Sequence, residues 1–146
     1  MSKFKFKLQK LLDIKVKDEE ESKLRYTQAQ NQKRIIENNL RNLENSYKKY
    51  SDIGMSKDII SQKITINYLA ALTQSIKLTS EDLRKEEINV SKAKKDFIEK
   101  QIDRKSLETL KENELNRLKK EEDRLEQLKN DEFALYAYIR NRTNIS

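Results

Sequence analysis

The chain has 146 residues and a mass of 17.5 kDa; 35% of its residues are hydrophobic, 39% are charged, and its mean hydropathy is −1.01. A single glycine, Gly54, and no proline leave it without the turns of a sheet protein or a multi-loop enzyme, and the absence of cysteine and histidine removes thiol nucleophiles, imidazole bases, disulfides and zinc sites. The net charge of +7 is carried with mixed signs along most of the chain, which describes a solvated helix surface better than a polyanion-binding stripe.

Only the first seventeen residues are one-sided, with six lysines against Asp13. No apolar stretch of signal-peptide length follows Lys3, Lys5, Lys7 and Lys10, so export by that route is not expected. From Leu8 to Tyr50 two rows of residues seven apart can be followed. Leu12, Glu19, Tyr26, Lys33, Leu40 and Tyr47 form one, and Leu8, Lys15, Ser22, Ala29, Ile36, Leu43 and Tyr50 the other. Rows offset by three and four residues make the seam of a helix wound against a partner helix. Helix 1 is therefore expected over about 4–50, with polar interruptions at Lys15, Glu19, Ser22 and Lys33.

Ser51-Asp52-Ile53-Gly54 breaks this pattern, and Ser56 is placed to cap the next helix. Residues 52–78 hold only five charges in twenty-seven, and Ile60, Ile64, Tyr68, Leu72 and Ile76 lie four apart, which predicts a middle helical segment over about 56–78. Thr79-Ser80-Glu81-Asp82 reads as a further helix start. A long C-terminal helix over about 80–141 follows, with Leu83, Val90, Ala93, Phe97, Leu107, Leu118, Leu125, Leu128 and Leu135 on its track and a frayed tail at 142–146. The expected fold is all-α: one antiparallel two-helix coiled-coil hairpin with a break near Gly54 and a turn near Lys77 to Ser80. In the competing arrangement the middle segment caps the tip of a shorter hairpin.

No residues point to catalysis. The acidic runs Asp18 to Glu21 and Glu121 to Asp123 adjoin neither a glycine-rich loop nor an apolar pocket, so no metal, cofactor or enzymatic activity is expected. The longest apolar run, Phe133 to Ile139, falls far short of the ~20 residues that a membrane span needs, so no direct membrane insertion is expected. Function is expected at apolar residues in excess of the seam. One group is Phe4, Phe6, Leu8, Leu11 and Ile14 together with Phe133, Tyr136, Tyr138 and Ile139, which a closed hairpin would bring to one end. The other is Tyr47 and Tyr50 with Tyr68, Leu72 and Ile76.

Three stretches together resemble the FliJ family of the flagellar type III export apparatus. They are the opening Phe4-x-Phe6-x-Leu8-Gln9-x-Leu11-Leu12-Asp13, the central Ile66-Asn67-Tyr68 with Leu72 and Ile76, and the closing Asp131-Glu132-Phe133-Ala134 with Arg140. The resemblance implies a non-enzymatic, stalk-like coiled coil in the cytoplasm, peripherally associated with the inner membrane through the export apparatus. It implies as partners the hexameric export ATPase FliI, the export gate protein FlhA and the export chaperones. On this basis Phe4, Phe6, Leu8, Leu11, Leu12 and Phe133 are the expected ATPase contact, and Leu40, Leu43, Tyr47, Tyr68, Leu72 and Ile76 the expected gate contact. Ala71 departs from the large residue that many relatives carry there. An analogous subunit of a virulence secretion system, or a basic hairpin that grips RNA, are the alternatives. Clustered acids at Glu121 to Asp123 oppose the RNA reading, and nucleic acid is not an expected partner.

Overall fold

The computed structural model describes residues 4–53 and 58–145, which form two helices, α1 (Gln9–Ile53, 45 residues) and α2 (Ile59–Ile145, 87 residues). Neither helix contains proline or glycine, so nothing in the backbone forces an exit. α1 begins from a turn in which the Gln9 amide donates to the Phe6 carbonyl at 3.1 Å. α2 begins at Asp58, whose carboxylate accepts the Ser61 amide at 3.0 Å while its carbonyl accepts the Gln62 amide at 2.9 Å. That is an N-cap, satisfying a donor that the first turn would otherwise leave unpaired. The caps expected at Gly54 and Ser56 lie outside the described residues.

The turn expected near Lys77 to Ser80 is absent. α2 runs without interruption through Thr79-Ser80-Glu81-Asp82, so the middle segment and the C-terminal helix are one element. A hydroxyl followed by acids caps a helix only where the chain leaves helical dihedrals, and breaking α2 here would orphan backbone groups that continuation keeps paired. Elsewhere the hydroxyls adapt to the helix. Thr27, Thr65, Thr73 and Ser106 each donate to the carbonyl four residues earlier, at 2.9–3.0 Å.

The chain divides into two compact units, residues 1–15 with 102–146 and residues 16–101, and each is an antiparallel helix pair. In the first, Lys111 Nζ donates to Gln9 Oε1 at 2.7 Å and Lys15 pairs with Asp103 at 3.6 Å. In the second, Arg25 pairs with Asp96 at 3.2 Å, the rings of Tyr26 and Phe97 lie 6.1 Å apart, and those of Tyr50 and Tyr68 lie 4.9 Å apart. Numbers rise on α1 as they fall on α2, as an all-α antiparallel hairpin requires. The exposed ion pairs fix little, contributing about 0–1 kcal/mol each.

The seam on α1 is the pair of seven-spaced rows. Leu12 is 5% exposed, and Ala29, Ile36, Leu40 and Leu43 are half-buried. Ser22, a polar interruption in the sequence pattern, is fully buried, and its hydroxyl donates to the Glu19 carbonyl at 2.8 Å. A small side chain satisfied within its own helix lets two backbones approach without an orphaned polar group. On α2 the seam runs through Leu69, Leu72, Ile76, Leu83, Val90, Ala93, Phe97 and Leu107, with Lys100 and Arg104 half-buried among them. Their aliphatic stems cover apolar surface while their charges reach water.

The row Ile60, Ile64, Tyr68, Leu72 and Ile76 is not the seam. Leu72 is 6% exposed, but Ile60, Ile64 and Tyr68 are exposed, and Gln62, Thr65 and Leu69 take the inner face instead. Each four-residue step turns ~40° around a helix of 3.6 residues per turn, so a run of such steps leaves any single face. Only alternation of three and four stays against the partner. Leu12→Ala or Leu72→Ala should therefore lower unfolding stability by about 2–3 kcal/mol, whereas Ile60→Ala should change it by less than ~0.5 kcal/mol. Thermal and urea melts followed by circular dichroism measure the contrast.

Candidate functional site

The two-helix pairing ends before α2 does. Gln9, the first residue of α1, faces Lys111, and beyond Leu118 every described side chain of α2 is exposed. The stretch 119–143 thus keeps a repeat of Leu125, Leu128, Leu135 and Ile139 that no described residue of α1 covers, alongside exposed Tyr136 and Tyr138. Phe133 is 71% exposed. It lies twenty-two residues past Lys111, ~33 Å along the helix at ~1.5 Å per residue. The structure therefore does not bring Phe133 to Phe4 and Phe6. Seven-residue spacing persists in the sequence whether or not a partner helix is long enough to meet it, and α1 is not.

At the start of the chain Phe6 is 7% exposed and Leu12 is buried, whereas Phe4 is half-buried and Leu8 and Leu11 are exposed. Phe6 and Leu12 hold the pairing and Phe4, Leu8 and Leu11 are displayed. Phe4 and Phe6 line an open groove of about 670 Å³ with Lys5, Lys7, Gln9, Lys10 and Lys111. Lys111 donates to the amide oxygen of Gln9, whose nitrogen donates to Asp13 at 2.8 Å.

The second group divides similarly. Leu72 is buried, Leu40, Leu43 and Ile76 are half-buried in the seam, and Tyr47 and Tyr68 are exposed at its edge. Tyr68 stands between two grooves. One, about 280 Å³, is shared with Tyr50, Ile64 and Thr65. The edge-on packing of Tyr68 against Tyr50, at an interplanar angle of 76°, fixes its wall. The other, about 440 Å³, is bounded by Leu43, Tyr68 and Leu72 and rimmed by Asn39, Asn42, Ser46, Ser75 and Thr79. Sequence reading found the apolar floor and missed this rim. The available signal was the cluster of uncharged amides and hydroxyls around Asn39, Asn42 and Ser46 in a chain of which 39% is charged. An apolar floor with neutral donors and acceptors suits an extended peptide, whose backbone needs partners and whose side chains need a pocket.

Among the described residues no acidic group is arranged to hold a metal ion, and no helix is long and apolar enough to cross a membrane. The model of the flagellar FliJ protein family matches residues 4–143. The chain belongs to the FliJ family. That family is a component of the flagellar export apparatus, and the all-helical antiparallel hairpin agrees with the coiled coil that the resemblance implied. No curated protein and no solved structure matches the chain.

The unpaired part of α2 depends on local bonds. Arg124 donates to both carboxylate oxygens of Glu121, at 2.6 and 3.3 Å, and Gln127 donates to Asp131 at 3.2 Å. The hydrogen bond from Arg124, and then its charge, hold the Glu121 carboxyl below the usual carboxylate range. A group lowered in the folded state contributes above its ordinary pKa, and the contribution disappears as pH falls through the lowered value. A helical segment without a packing partner lacks the tertiary contacts from which most helix stability comes and rests on propensity and local pairs. Helical Cα shifts over 121–128 should therefore diminish as pH falls below the usual carboxylate range, toward the lowered value of Glu121, while those over 29–43 hold. Glu121→Gln should weaken the segment at neutral pH and flatten its pH response, both readable by NMR.

Proposed function

We propose that this protein is a non-enzymatic stalk and adaptor of the flagellar type III export apparatus. It binds and stimulates the hexameric export ATPase FliI and couples that ATPase to the gate protein FlhA and the export chaperones. The observation that carries this reading is the family match over residues 4–143 on a chain that is one antiparallel hairpin. The ATPase contact is assigned to Phe4, Leu8 and Leu11, held in place by Phe6 and Leu12, with Phe133 as a separate contact on the unpaired helix. The gate contact is assigned to Tyr47 and Tyr68 with Leu40, Leu43, Leu72 and Ile76, where the amide-rimmed groove supports binding of an extended segment. The protein acts in the cytoplasm, held peripherally at the inner membrane through its partners.

Mechanistically, a ring of identical subunits has equivalent arrangements related by rotation, and an asymmetric helix inside it favours one of them. Such differential affinity biases the ring without any reacting group on the stalk. The exposed, mostly polar surface of 119–143 supports a contact of this kind, wet and reversible.

ATP turnover by the ring, measured with and without the protein, should rise, and unchanged turnover at saturating stalk would refute the proposal. Phe4→Ala with Phe133→Ala should weaken ATPase binding and spare the gate protein, whereas Tyr47→Ala with Tyr68→Ala should do the reverse. Each anchoring side chain should contribute about 2 kcal/mol, roughly thirtyfold in Kd. All four substituted residues are at least part-exposed, so equal losses toward both partners with helicity intact would contradict the assigned sites.

A further inference from the structure

We propose that the lysine-flanked aromatic end of the chain, residues 4–14, docks on an anionic lipid membrane. Lys5, Lys7 and Lys10 are exposed, and among the described residues no carboxylate lies within 4 Å of any of them. They border the open groove that holds the half-buried ring of Phe4. The acid within this stretch, Asp13, accepts a hydrogen bond from Gln9. Leu8, in the turn that leads into α1, and Leu11 and Ile14, on its first turns, are exposed at steps of three, with Lys7 and Lys10 interleaved. Apolar side chains interleaved with lysines over the entry and first turns of a helix form the pattern of a segment lying in a lipid interface, its charges at the headgroups and its hydrocarbon at the acyl boundary.

Peptide recognition fits this end less well. The groove beside Tyr68 offers neutral amides and hydroxyls to a peptide backbone, but here the one amide side chain, Gln9, is occupied at both ends, by Lys111 and by Asp13. What remains is diffuse positive charge and exposed hydrocarbon, which matches a fluid anionic surface and requires no fixed acceptor positions. The stretch is too short to anchor permanently, so attachment is reversible and depends on anionic headgroups. Phe4, Leu8 and Leu11 also stand in the assigned ATPase contact, so lipid and ATPase would compete for this end. The lipid inference itself needs no export partner.

Vesicle flotation with the full chain tests it, using phosphatidylcholine mixed with phosphatidylglycerol against phosphatidylcholine alone. The protein should float with the anionic vesicles only, and less as salt rises. At roughly fivefold per lysine, combining Lys5→Gln, Lys7→Gln and Lys10→Gln should reduce affinity on the order of a hundredfold. Leu11→Ser with Ile14→Ser leaves the charge unchanged and should still reduce it about tenfold or more. All five side chains are exposed, and circular dichroism verifies that both variants keep their helices. Equal loss on changing Lys119, Lys120 and Lys129 to glutamine would make binding a matter of net charge and overturn the proposal. So would polyglutamate or RNA binding as tightly as the vesicles with no effect of the Leu11 and Ile14 changes. The assay contains no ATPase, so its failure leaves the export reading standing, and failure of the turnover test leaves this one.

Discussion

Two helices packed side by side bury one stripe of each, and that geometric limit governs the rest of this protein. The described residues contain three buried hydrophobic side chains, Phe6, Leu12 and Leu72, and the fully buried Ser22. Every other described apolar residue is only partly covered or exposed. The stability of such a pair comes from many partial burials along the three-and-four alternation, so a residue that leaves the alternation is displayed. Display supplies the surfaces on which a partner-binding function can act, and no enclosed pocket is needed for it.

The same limit explains how structural and functional roles interleave. Around the second group, Leu72 turns inward and Tyr68, four residues earlier, turns ~40° away into two grooves. At the start of the chain, buried Phe6 alternates with half-buried Phe4 and exposed Leu8. In each case one residue maintains the pairing that positions its neighbour, so substitutions only a few residues apart act through different causes.

Much of the fold was legible because seven-residue spacing is a direct imprint of pairing. The rows through Leu12, Ser22, Leu40 and Leu43, and the α2 track from Leu83 to Leu107, coincide with the inner faces observed. What a heptad does not encode is where its partner ends. Leu125, Leu128 and Leu135 continue the track with no α1 residue to meet them, which is why Phe133 was expected beside Phe4. The turn expected near Lys77 to Ser80 does not form for a related reason: Thr79-Ser80-Glu81-Asp82 has the chemistry of a cap, but cap chemistry is used only where a chain exits its helix, and Asp58 occupies that place. Within the candidate site the aromatic residues stood out by type. Asn39, Asn42 and Ser75 did not, because a neutral side chain at the edge of a seam becomes a groove rim only when the opposing helix supplies its other wall.

The central claim is the antiparallel register that pairs Arg25 with Asp96 and makes 59–145 a single helix. The chain has no cysteine, so introduced pairs report without background. Cross-linking of Arg25→Cys with Asp96→Cys by a thiol-specific reagent about as long as an arginine side chain should proceed readily, since the Arg25 guanidinium reaches Asp96 across the seam. Ile64→Cys with Ala93→Cys should not cross-link within one chain, because twenty-nine residues of α2 separate them by ~44 Å of helix, far beyond the reach of that reagent and the ~7 Å Cα limit of a disulfide. A hairpin turning near Lys77 to Ser80 would bring that second pair together, and an intramolecular Ile64→Cys/Ala93→Cys bridge without the first would contradict the account.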